Sequence, residues 1–207
     1  AAHQPGRFGW LSPHRRVSLR SVALPSTLLH FDLHLSHADQ GLDRDLAFKI
    51  ARHPSETPER VWLRVIAYAW RWSEALEFGP GLCEPDAPDL VARHPDGRTS
   101  AIVRVGKPDP ERVEKDVNRG AGASVAVLFD SPRRMAAFLA EARERRLDRV
   151  AAAELAAVDP KLLEALAAHE DRRFRLSLTF VADHVYAEVG GRMLDAPLER
   201  GRHEPAG

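Results

Sequence analysis

Residues 88–109 read PDLVARHPDGRTSAIVRVGKPD, and the fold turns on how this stretch is parsed. Two apolar runs flank Pro95-Asp96-Gly97, where proline presets one backbone angle and glycine accepts the other. The stretch therefore predicts an antiparallel hairpin, with strands at roughly 89–94 and 99–106. The second strand leads into Asp109-Pro110, a capping aspartate followed by proline, which predicts the start of a helix. The same device recurs at Ser131-Pro132 and Asp159-Pro160. Between the first two lies SVAVLF, residues 124–129. A continuous apolar run of that length suits a strand buried on both faces.

Upstream, LHFDLHL (29–35) alternates strictly. Leu29, Phe31, Leu33 and Leu35 share one face and His30, Asp32 and His34 the other, as in a half-buried strand. In DLAFKIA (45–51), Leu46, Phe48 and Ile50 alternate in the same way, so the two should pair across a polar loop at 36–43. The period then changes. Val61, Val65, Tyr68 and Trp72 recur at helical spacing, with Trp62, Ile66 and Ala69 beside them. Leu63, Ala67 and Trp70 make the opposite side apolar too, which predicts a helix buried around most of its circumference. Its tryptophans read as core. Ser55 or Thr57 can cap it, with Pro58 in the first turn. Two closing strands are expected near 174–181 and 184–189, and a short one between the third and fourth helices. The order indicates a single α/β (α+β) domain, a mixed β-sheet flanked by helices, over residues 22–195. Residues 196–207 read as a frayed tail.

The chain has 207 residues, 44% hydrophobic and 29% charged, with 30 basic and 30 acidic side chains. Zero formal charge excludes a protein built to coat nucleic acid broadly, so any such binding must come from a local patch. Cys83 is the sole cysteine, which excludes an intrachain disulfide and suits a reducing, cytoplasmic setting. No apolar run approaches the ~20 residues that span a bilayer. Residues 1–21 carry Arg7, Arg15, Arg16 and Arg20, and no acid occurs before Asp32. A transit peptide or a nucleic-acid-binding arm has this composition. We read it as a disordered basic extension.

Phosphodiester chemistry needs a hard divalent cation, Mg²⁺ or Mn²⁺, held by one or two carboxylates against the phosphate. Asp89 opens the hairpin, and Glu56 and Glu59 open the apolar helix. Acids in a first helical turn also simply complement the helix dipole, and Pro-Asp is common in turns. Arg112, Lys115 and Arg119 fall at i, i+3 and i+7 on the helix after the hairpin. With Lys107 they make a candidate phosphate-binding stripe, although Glu111, Glu114 and Asp116 share the helix. RGAGAS (119–124) joins a helix to a strand, the reverse of a phosphate-binding loop. Gly106-Lys107 is followed by proline, not by the Ser or Thr of such a loop. His30 and His34 lie ~13 Å apart along a strand, too far to share an ion. Cys83 belongs to no recognisable nucleophile motif.

ARHPSETPERVWLRVIAYA (51–69), LEFGPGL (76–82), PDL (88–90), VGKPD (105–109) and ERVEK (111–115) resemble, in order and spacing, the bacterial YaeQ family. The resemblance spans roughly Ala23 to Met193. It implies a restriction-endonuclease-like fold of the PD-(D/E)xK superfamily, with an undefined biochemical role. It matches Asp89 to the acid of the family's Pro-Asp element, Glu56 to the helix glutamate, and Lys115 to a basic residue on the next helix. In an active enzyme the two acids would hold one ion and Lys115 would stabilise the developing phosphate charge. Two positions depart from the pattern. Arg104 stands where the family usually has an acid, and Ala87 replaces an acid before Pro-Asp. At ~5 Å and an effective dielectric of ~20, a guanidinium repels a divalent ion by on the order of 6 kcal/mol before screening. Arg104 is therefore expected to bind phosphate in the ion's place. The favoured expectation is a YaeQ-like protein with a nuclease-like frame and a degraded metal site, acting as a nucleic-acid or protein-interaction module. The alternatives are a divalent-metal-dependent nuclease and a structural or assembly protein without nucleic-acid contact.

Overall fold

The computed structural model describes residues 26–84, 86–119 and 122–204, so the extension expected at 1–21 lies outside the described residues. The hairpin read from residues 88–109 is β4 (Leu90–Arg93) and β5 (Thr99–Val105), closed at Pro95-Asp96-Gly97 with Gly97 at φ 84°. After β5 come α2 (Pro110–Arg119), β6 (Ser124–Phe129), α3 (Pro132–Glu144), β7 (Glu154–Val158) and α4 (Pro160–Ala167). Strands β5, β6 and β7 are parallel neighbours. Each helix starts at its proposed cap: Asp109 accepts from the Glu111 N–H, Ser131 from Arg134, and Asp159 from Lys161.

The first hairpin is longer than the alternation suggested, with β1 (Thr27–His37) paired along its length to β2 (Leu42–Arg52). Helix α1 (Pro58–Trp70) follows, capped by Thr57 rather than Ser55. Two strands were not legible in the sequence. β3 (Leu76–Phe78) is only three residues long. β10 (Arg192–Gly201) runs through the segment expected to fray, and His203 beyond it is buried. A proline, here Pro197, is ordinarily unfavourable inside a sheet. It falls where β10 leaves β9 (His184–Val189) and continues along β7, so its missing N–H interrupts no uniform ladder.

The ten strands of the described residues form one mixed sheet in the order β2-β1-β8-β9-β10-β7-β6-β5-β4-β3, where β8 is Arg173–Val181. The sheet curls until its two edges approach one another. Phe48 of β2 stacks on Phe78 of β3 at 5.3 Å, and Tyr68 of α1 packs against both. α1 lies inside this curl, which explains an apolar surface on nearly every side; Val61, Trp62, Leu63, Val65, Ile66 and Trp70 are all buried. Each such side chain contributes about 1.5–3 kcal/mol by leaving water. α4 packs on the same face as α1, while α2 and α3 cover the other face of β5–β7 with a second core built on Val113, Phe129, Phe138 and Leu155. No described helix is long and apolar enough to cross a membrane.

Candidate functional site

α2 and α3 follow β5 and β6, so their N-termini stand at the carboxyl edge of the parallel strands. Open α/β sheets place ligands at this edge. A cleft of about 620 Å³ occupies it, lined among others by Thr57, Arg60, Asp89, Lys107, Asp109 and Arg134.

At its floor the two acids read from the sequence come together. Glu56 and Asp89 are both buried, and Arg60 bridges them. Its Nη1 donates to Glu56 Oε1 at 2.6 Å and its Nη2 donates to Asp89 Oδ1. Asp89 Oδ2 accepts the Val105 N–H at 2.9 Å. Glu56 also faces the Arg64 guanidinium at 3.4 Å. Arg64 is buried in turn, donating to the Gly79 carbonyl at 3.2 Å and lying over the Phe78 ring.

The glycines of LEFGPGL now have a reason. A Cβ on Gly79 would lie 2.1 Å from the Pro88 carbonyl oxygen, so only glycine lets β3 close on the Pro-Asp element. There the Gly79 N–H donates to Asp89 O at 2.8 Å. Gly81 holds φ 63° beside the Arg64 guanidinium, in the left-handed region that favours glycine.

The fit of a divalent cation can be tested on these donors. Both carboxylates already accept a guanidinium, and among the described residues no group of three His, Cys, Asp or Glu is placed to hold a metal. Two occupied carboxylates do not meet the ligand demand of Mg²⁺ or Mn²⁺, so the site as arranged does not fit either ion. The guanidinium that lies between the two acids is that of Arg60, not of Arg104.

Arg104 has different work. It projects from β5 toward α2, where Nε donates to Asp116 Oδ2 at 2.5 Å and Nη2 to Oδ1 at 3.2 Å. The remaining donors reach the Ala87 and Asp86 carbonyls. The residue is 5% exposed. A fork so occupied has little left for a phosphate. The departure from the family pattern is thus neutralised inside the chain by Asp116.

The rest of the basic stripe does assemble. A second cleft of about 420 Å³ is lined by Arg93, Arg104, Arg112, Lys115 and Arg119 against Asp86 and Asp116. Arg112 pairs with Asp86, and Lys115 reaches Glu111 only at 3.9 Å with its side chain 64% exposed. Lys107 is exposed and lines the first cleft instead, apart from the stripe.

Sequence reasoning missed Arg60, Arg64 and Asp116. The first two were signalled by Glu56, Arg60 and Arg64 falling at i, i+4 and i+8, one face of the helix entrance. Asp116 had no local signal, because its partner lies on another element.

Fold and site together define an α/β protein whose paired acids are closed by an internal arginine. The chain belongs to the YaeQ family, whose model, described as YaeQ protein, matches residues 22–197. It is 28% identical over 158 residues to the uncharacterized protein YaeQ of Escherichia coli (strain K12), covering 76% of this chain and 86% of that one. The counterpart from Salmonella typhi matches at the same identity and coverage. Among solved structures, the YaeQ protein from Xanthomonas axonopodis pv. citri superposes with TM-score 0.78 at 26% identity, over 86% of this chain and 99% of that one. The YaeQ protein from Pseudomonas syringae gives 0.74 at 28% identity, over 86% and 97%.

Proposed function

We propose that this chain is a non-catalytic module that holds nucleic-acid phosphates in the basic cleft beside α2. The observation that carries this is charge segregation. The chain is neutral overall, yet five basic side chains line that cleft against two acids. Arg93, Lys115 and Arg119 are the groups that face solvent there. Backbone phosphates are the ligand such a surface suits, through contacts that carry no sequence information.

The finer reading, a restriction-endonuclease-like frame of the PD-(D/E)xK type with a lost metal site, rests on Glu56 and Asp89 meeting at one edge of the sheet. Arg60 between them supports inactivity. A metal-dependent nuclease would need that guanidinium to leave.

The test is fluorescence anisotropy with labelled single-stranded DNA, duplex DNA and RNA across a salt series. Binding without metal is expected, weakening as salt rises. Each of Lys115→Ala and Arg119→Ala should weaken all sequences alike and lower the salt slope by roughly one unit or less. Binding that ignores both substitutions, or no binding at low salt, overturns the proposal. Metal-dependent cleavage abolished by Asp89→Ala would favour the nuclease.

A further inference from the structure

We infer that the open end of the layer between the curled sheet and α1 binds a small aromatic monocarboxylate, with Arg52 taking its carboxylate. This site shares no lining residue with the phosphate cleft and does not depend on it.

Alternation along β2 puts Leu46, Phe48 and Ile50 on the face turned toward the core, and Arg52 is the next residue in that series. Its partner across the ladder is Thr27, which continues the inward series of Leu29 and Phe31 on β1. A guanidinium therefore stands on the core side of the sheet, at the point where the strands end. Charged side chains rarely take such positions unless they are paired. Arg52 is half-buried and only partly satisfied. Its Nε donates to the main-chain carbonyl of Glu56 at 2.9 Å, which fixes the plane of the fork. Neither Nη has a protein partner among the described residues, and neither is sealed from solvent.

The space in front of the fork is a cavity of about 330 Å³. Its inner walls are Leu29, Phe31, Val61, Trp62 and Phe174, all buried. Trp62 meets Phe31 and Phe174 edge-on at 5.6 and 5.1 Å, and Phe31 stacks on Phe174 at 4.9 Å, so each ring holds the others in place. An apolar cavity of this size with one positioned polar group is the usual form of a small-molecule site. The chemistry of the lining selects the ligand. Two free N–H groups in one plane match the two oxygens of a carboxylate. The aromatic walls favour a flat ring, through edge and face contacts. At the mouth, Glu170 and Asp171 offset Arg52 and Arg172, so there is no surplus of positive charge. One carboxylate bound by the geometry of the fork suits that balance, whereas a phosphate dianion adds charge that nothing offsets.

The test is isothermal titration calorimetry of the full chain with 3-phenylpropionate and indole-3-acetate. Submillimolar dissociation constants are expected for both. Binding about tenfold weaker or more is expected for 3-phenylpropionamide and phenyl phosphate. Arg52→Met keeps an unbranched stem and removes the fork, so it should weaken carboxylate binding about tenfold or more and leave the amide unchanged. Ala167→Phe, at a half-buried position on the rim, should fill the cavity and abolish binding of both carboxylates. Circular dichroism checks that both variants are folded, and Arg52→Met alone carries the test of the charge. The inference is overturned if neither carboxylate binds at millimolar concentration. It is overturned equally if the amide or the phosphate binds as tightly as the acids, or if both substitutions leave the affinity unaltered.

Discussion

Replacing Arg60 with methionine tests the central feature of the site. The substitution keeps an unbranched, helix-compatible stem and removes the guanidinium that bridges Glu56 and Asp89. Glu56 would keep only the 3.4 Å approach of Arg64, and Asp89 only the Val105 N–H. Deleting one partner of a buried ion pair costs about 3–5 kcal/mol, because the other charge is stranded. The Arg60 side chain is 26% exposed, so the lower end applies. For a domain of this size about 3 kcal/mol corresponds to a fall in Tm of roughly 6–12 °C. Urea denaturation followed by circular dichroism reads the loss directly. Arg60→Lys separates charge from geometry: one ammonium cannot reproduce the two-pronged bridge, and an intermediate loss of about 1–2 kcal/mol is expected. Millimolar Mg²⁺ or Mn²⁺ should leave the wild-type midpoint unchanged. An Arg60→Met variant within 1 kcal/mol of wild type, or a wild-type midpoint that rises with either ion, would refute the assignment of Arg60 as the resident cation.

Two further outcomes follow from the charge arrangement. Arg104→Met should cost about 3–5 kcal/mol by stranding buried Asp116, whereas Arg104→Met with Asp116→Leu should recover most of that loss in the same urea assay. If Arg104 instead served a ligand, the double variant would be no better than the single one. His34 donates to Asp45 across the β1–β2 ladder at 2.8 Å, and that hydrogen bond, with Asp43 nearby, holds the imidazole above its ordinary value of 6.5. The protonated ring is the form stabilised by folding. Its contribution is therefore complete below the unfolded value and lost as pH rises through the raised folded one. Proton NMR titration should show the elevation, and Asp45→Asn should remove it.

Local pattern was enough for most of the fold. Alternation in β1 and β2, the apolar run of β6, the turn at Pro95-Asp96-Gly97 and the cap-proline pairs before α2, α3 and α4 depend on neighbouring residues, and each is where the sequence placed it. Even the burial of α1 was legible from its apolar circumference. β3 was too short to show a period. β10 was hidden because Pro197 marks a change of pairing partner, which involves strands distant in sequence. The site divides along the same line. Residue types and spacing singled out Glu56, Asp89 and the Arg112-Lys115-Arg119 stripe, since helical and strand periods place side chains on faces. What each charge does was decided by tertiary contacts. Arg60 closes Glu56 against Asp89 from another element, and Asp116 withdraws Arg104 from the solvent-facing stripe. An ion pair between separate elements forms only once the sheet has curled around α1, and nothing in the local sequence records which partner will be there.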